Sequence, residues 1–172
     1  MSPLIHAEVG WLLSLALEKR RDRMLVVAAA VLPDLDGAGL LISEALYERW
    51  HHRLAHGAIA AVVITVVVLA WTRRPLAALL ACAAFHSHIA MDLAGSGPGW
   101  PILYWWPFAE TEWLPSWQWD LASWQNSTFG LASTLVCLSC ALRFGRTPVE
   151  IVSPRADAKV VAALRARFSR AP

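Results

Sequence analysis

The sequence predicts an all-α, multi-pass membrane protein, with one helix broken at Pro33–Gly37 and a tryptophan-rich loop lying in the membrane interface. Three observations carry this. Hydrophobic residues make up 57% of the 172 residues and charged residues only 16%, and the mean hydropathy of +0.45 lies outside the range of an ordinary soluble domain. Apolar runs recur along the chain and are closed by basic residues or by proline. Seven tryptophans crowd into 94–125, where an indole can be half apolar and half wet.

Taken in chain order, residues 4–18 read as an apolar helix, a little short of the ~20 residues that cross a bilayer squarely. Met24–Leu32 is a second apolar run, stopped by Pro33-Asp34-Leu35-Asp36-Gly37, with a helix resuming over Ala38–Leu46. Proline disfavours the helical conformation at Leu32, and non-helical backbone at membrane depth needs protein or a watery cavity around it. Gly57–Thr72 is the clearest span, Leu76–Leu93 returns after Arg73-Arg74-Pro75, and Ser127–Leu142 is the last span. The loop before it serves as an interfacial anchor or as a lid over a site. Residues 1–145 thus form a membrane-embedded domain and 146–172 a basic cytoplasmic tail, either a lipid-surface helix or a solvated segment. Cys82, Cys137 and Cys140 sit in apolar helical context, which argues for packing and against disulfides or zinc thiolates.

The net charge of +2 argues against a nucleic-acid partner. Its distribution is more telling, because Lys19–Arg23, Arg73-Arg74 and Arg143–Arg146 fall at one end of their helices. That end is assigned to the cytoplasm by the positive-inside rule. Counted at 1.5 Å per residue, His6, Asp34, Asp36, His56, His88 and Asp92 then lie about 15 to 25 Å from it, in the outer half of the membrane. Ionisable groups at that depth are costly and need partners or a metal.

The spacing of these groups suggests what they share. His52 and His56, at i,i+4, fall on one face if that stretch is helical, and His88 and Asp92 repeat the spacing on the next helix. Asp34 and Asp36 can both turn inward only on a broken segment, and His6 can complete the set. Histidines and carboxylates without thiolate suit a divalent cation, Zn2+ first, with Mn2+, Mg2+ and one or two ions left open. Hydrolysis is the natural reaction of such a site. The expected metal ligands are His6, His52, His56, His88 and Asp92, with Asp34 and Asp36 as ligand and base in either order. Arg53 is expected to bind substrate. His51 and His86 point elsewhere on regular helices and are secondary.

In its motif order, His6, then Leu32-Pro33-Asp34-Leu35-Asp36, His52-Arg53-x-x-His56, His88-x-x-x-Asp92 and Trp106-Pro107-Phe108, the chain resembles the membrane-bound, metal-dependent hydrolases of YdjM type over residues 1–145. This family commonly has His-Arg-Gly-x-Thr-His-Ser, whereas Leu54, Ala55 and Gly57 stand here. The resemblance implies an inner-membrane hydrolase. A looser analogy with helical zinc-dependent phospholipases C points to a phosphoester or lipid-linked substrate met from the outer leaflet. Two other classes fit the same residues: a metal or proton transporter, and a haem-binding bundle with His56 and His88 as axial ligands.

Overall fold

A computed structural model describes residues 1–168. Helices α1 (Pro3–Ser14) and α2 (Arg20–Val31) form an antiparallel pair, and α2 runs directly into a 3-10 segment, Leu32–Leu41. Proline at 33 withdraws one donor from the α pattern, and the glycines at 37 and 39 relax the second half of the segment. The expected break is therefore a change of helix type, and the chain turns at Ile42–Ser43 instead of continuing to Leu46. Ser43 then caps α3 (Glu44–Trp50), its hydroxyl accepting from the Leu46 amide at 3.2 Å.

Helices α4 (Ala58–Thr72), α5 (Pro75–Gly95) and α6 (Trp124–Phe144) come next, then a 3-10 turn at Pro148–Ile151 and α7 (Pro154–Phe168). Arg73, in the left-handed conformation, closes α4, and Pro75 opens α5. Three helical stretches are long and apolar enough to cross a membrane: Arg20–Leu41, Pro75–Gly95 and Trp124–Phe144. The run expected to be the clearest span is shorter. At 15 residues, α4 extends about 22 Å, below the ~30 Å of a hydrocarbon core. Its first amide is tied to the Tyr104 carbonyl at 2.8 Å, which fixes its N-terminal end to the tryptophan-rich loop.

Helix α5 is the central element and packs against α1, α2 and α4. Near the basic ends of the helices the core is apolar and small-grained, built from Val26, Ala29, Ala30, Val68, Ala77, Ala78, Ala81 and Ala84. Small residues let helices approach closely where lipid gives no hydrophobic drive to associate. Gly10 makes the closest approach of α1 to α2, since a Cβ there would lie 2.5 Å from Ala30 Cβ. Gly10→Ala is expected to cost about 1–3 kcal/mol of stability, measured as detergent-melt or denaturant midpoint.

The long loop is irregular apart from one bridge between Ile102 and Trp113. It is fastened to the body by the Trp119 amide on the Ala94 carbonyl (2.9 Å) and by Trp119 Nε1 on Asn126 Oδ1 (2.8 Å). Trp105, Trp113, Trp117 and Trp124 are exposed on its outer surface. The tail, expected over 146–172, is helical over Pro154–Phe168, and its residues 169–172 lie outside the described ones. Asp157 of α7 accepts from the Thr147 amide and hydroxyl, at 2.8 and 2.6 Å. Cys137 and Cys140 pack with Trp11 and Val27, as their apolar setting predicts.

Candidate metal centre

The stretch His51–Gly57 is not helical. Helix α3 stops at Trp50, His51 is extended, and His52 has φ of 64°, the left-handed region that a non-glycine residue enters at a cost of roughly 1 kcal/mol or more. His52 and His56 therefore do not share a helix face. The turn brings them together by another route: it folds three imidazoles against one another, with ring centroids 4.3 Å apart for His51 and His52 and 4.6 Å for His52 and His56. The His52 carbonyl accepts from the Leu103 amide at 3.2 Å, so the loop holds the turn.

Helix α5 supplies the opposite wall. His88 and Asp92 lie on one face of it, as their spacing predicts, with His88 Nε2 at 2.8 Å from Asp92 Oδ2. His6 of α1 stacks on His88 at 3.8 Å between centroids and places its Nε2 3.2 Å from Asp92 Oδ1. His56 Nε2 is 3.5 Å and His52 Nε2 3.9 Å from Asp92 Oδ2, and Asp34 Oδ1 is 3.7 Å from His88 Nε2. The Met1 amino group donates to Asp92 Oδ1. His6, His52, His56, His88 and Asp92 are buried, while Asp34 stays partly open to a cavity of about 340 Å³ shared with Tyr47, His51, His52 and Trp100.

The free nitrogen of each ring is settled by the contacts of the other. His88 Nδ1 is 2.8 Å from the Ala30 carbonyl oxygen, which can only accept, so that nitrogen carries the hydrogen. His56 Nδ1 is 2.9 Å from Asp36 Oδ2 and donates to it. In the neutral form of each ring Nε2 therefore presents a lone pair, and the two Nε2 atoms face each other at 3.1 Å with Asp92 Oδ2 beside them. Lone pairs converging in a buried site repel unless a cation or a proton lies between them. Both nitrogens of His6, Nδ1 of His52 and Oδ2 of Asp34 have no hydrogen-bond partner. This donor chemistry fits a divalent cation. Two groups could hold one: His6, Asp34, His88 and Asp92, and His52, His56 and Asp92.

Asp36 stands apart from these donors. Its Oδ1 accepts from His51 Nδ1 at 2.7 Å and its Oδ2 from His56 Nδ1 and the Ala55 amide. The carboxylate expected as ligand or base is thus used to orient two imidazoles, a consequence of the 3-10 geometry that turns Asp36 toward the His51–His56 turn. Arg53 is also outside the inner cluster. It lines a neighbouring cavity of about 280 Å³ with Glu48, Trp100 and Glu112, joined to the first through His51 and Trp100. His51, expected to be secondary, supports Asp36. His86 bonds to Tyr104 Oη at 2.8 Å, outside the cluster. The Ala30 carbonyl and Trp100 are the participants that motif reading missed, and no residue-type signal could have found the former.

The fold and these side chains define a helical membrane protein with a buried histidine–aspartate cluster able to bind a divalent cation. A family model described as YdjM inner membrane protein matches residues 1–164, and the chain belongs to that family. Comparison with curated proteins and with solved structures gives no significant match.

Proposed function

We propose that this protein is a multi-pass, metal-dependent hydrolase of the inner membrane, acting on a phosphoester or lipid-linked substrate from the outer-leaflet side. The convergence of His56 Nε2, His88 Nε2 and Asp92 Oδ2, with Asp36 and the Ala30 carbonyl committing the other nitrogens, is the observation that carries this reading. Four imidazoles and carboxylates without thiolate suit Zn2+ first. Such an ion, when bound, supplies Lewis acidity and lowers the pKa of water.

The chain's own groups divide the remaining work. Asp34 has a carboxylate oxygen with no partner and faces the cavity, so it is placed to take a proton from water. Asp36 fixes the ring plane and tautomer of His56. Arg53 offers its planar fork to an anionic group entering by the adjoining cavity. Trp100, shared by both cavities, forms an apolar wall. The basic ends Lys19–Arg23, Arg73-Arg74 and Arg143–Arg146 set the orientation, with the tail cytoplasmic. Exposed Val62, Val63, Val66 and Val67 of α4 face lipid.

Two observations weigh against the rival classes. The apolar cluster around Val26, Ala30, Val68 and Ala81 lies between the donors and the basic helix ends, where a carrier needs a polar path. The 3.1 Å between His56 and His88 Nε2 is too close for an iron and its macrocycle to lie between them. Zinc-loaded protein in detergent is expected to release phosphate or headgroup from one member of a phospholipid and phosphomonoester panel. Asp34→Asn should lower that rate by about 10²–10⁴-fold. Release that persists undiminished in Asp34→Asn, or in the presence of excess chelator, would sink the reading.

A further inference from the structure

Six side chains converge on the site, and one cation of the expected kind cannot use them all. Zinc takes four ligands in most protein sites. The donors divide into His6, Asp34, His88 and Asp92 on one side and His52, His56 and Asp92 on the other, with Asp92 the member common to both. Its two oxygens face different partners. His6 Nε2 approaches Oδ1, at 3.2 Å, whereas His56 and His52 approach Oδ2, at 3.5 and 3.9 Å, and His88 of the first group also meets Oδ2, at 2.8 Å, where the two groups adjoin. The partnerless atoms fall in both groups: both nitrogens of His6 and Oδ2 of Asp34 in the first, Nδ1 of His52 in the second.

The geometry points to a two-ion centre in which the Asp92 carboxylate is the shared ligand. This rests on the reading that the cluster binds metal, and goes beyond it in number and in division of labour. The first group brings four side chains and forms the more complete site, with Asp34 contributing the Oδ1 that faces His88 and keeping its partnerless Oδ2 for the proton. The second brings three and leaves a position open, the pattern of a site that meets substrate. His52 of this arrangement, the shared Asp92 and Asp34 of the first group line the 340 Å³ cavity.

Charge narrows the substrate class. Asp34, Asp36 and Asp92 contribute three negative charges, and among the described residues no lysine or arginine pairs with them; their partners are imidazoles and the Met1 amino group. Two divalent cations turn that deficit into a positive excess, which favours an anionic group with two free oxygens. A phosphoester fits this requirement better than a carboxylic ester or a peptide, because paired ions can clamp two of its oxygens.

Metal content tests the proposal without reference to activity. Purified full-length protein, dialysed against Zn2+ and then metal-free buffer, is expected to retain two ions per chain, and His6→Ala and His52→Ala one each. Because either variant can fail to fold, wild-type protein loaded with Mn2+ provides the second measurement. A spin-coupled electron paramagnetic resonance signal at full loading is expected. Two retained ions with a coupled signal but no hydrolysis of any phosphoester support the two-ion centre and sink the hydrolase reading. One retained ion, or an isolated Mn2+ signal at saturation, overturns the two-ion centre and leaves the hydrolase reading standing. No retained ion overturns both.

Discussion

Asp92→Asn is expected to remove zinc-dependent stabilisation and hydrolysis together while leaving the metal-free protein folded. Asp92 touches every imidazole of the inner cluster, His6, His52, His56 and His88, so its loss reaches each candidate ligand set. The substitution is nearly isosteric, and the new amide can donate to the lone pair of His88 Nε2, which in the metal-free wild type faces a carboxylate at 2.8 Å. The change also removes the charge that pairs with the buried Met1 amino group, so the variant without metal should melt below the wild type without metal while remaining folded. With metal the gap should widen. Zinc at 100 times its dissociation constant stabilises a protein that binds it only when folded by about 2.7 kcal/mol. The wild type should show that upward shift in melting temperature and lose it with chelator. The variant should show neither. A zinc-dependent shift retained in Asp92→Asn would falsify the assignment of Asp92 as the ligand on which the others depend.

The parts of this site that were legible in the sequence are those set by residue type and depth. His6, Asp34, His56, His88 and Asp92 could be gathered at one level of the membrane by counting from the basic helix ends, because the rise of a helix is fixed. His88 and Asp92 could also be paired, since α5 is regular through both. Helical counting failed for His52 and His56. Between Trp50 and Gly57 the chain makes a turn held by a loop some fifty residues away, through the bond from Leu103 to His52. The same turn gives His51, expected to be secondary, its supporting place as the partner of Asp36. The role of Asp36 was not legible either, because ligand and orienting carboxylate differ only in which atoms they meet. The Ala30 carbonyl, which commits His88, is invisible to motif reading because every residue has a carbonyl. The bounds of α4 were legible, Ala58–Thr72 against an expected Gly57–Thr72, but its standing as the clearest span was not, because 15 apolar residues fall short of a bilayer however hydrophobic they are.

A second large effect is expected far from the site, at the basic end of the molecule. Glu150, in the 3-10 turn before α7, meets Arg23 of α2 in a two-bonded pair, Nε to Oε1 at 2.8 Å and Nη2 to Oε2 at 2.5 Å. Trp11 Nε1 of α1 donates to the same carboxylate at 2.9 Å, and Arg23 Nη1 also holds the Leu17 and Glu18 carbonyls. Both charged groups are buried, so Glu150→Ala leaves the Arg23 guanidinium and the Trp11 indole without their acceptor. A loss of roughly 3–5 kcal/mol is expected, as for other broken buried pairs. Burial alone would raise the carboxyl pKa of Glu150, but the bonds from Arg23 and Trp11 outweigh it and the net shift is downward. A carboxyl with a folded pKa below its unfolded one contributes stability that is fully present above the ordinary glutamate value of about 4.3 and fades as pH falls through the lowered folded value. The wild-type midpoint should therefore drop on acidification below pH 5 more steeply than that of Glu150→Ala. Removing both partners in Arg23→Met/Glu150→Leu should cost less than the sum of the single changes, because no uncompensated charge remains. Additive losses, or equal acid sensitivity of wild type and Glu150→Ala, would show that the Arg23–Glu150 pair does not hold the tail. The coupled outcome would make α7 an integral clasp on α1 and α2, the two helices that also deliver His6 and the Ala30 carbonyl to the histidine–aspartate cluster.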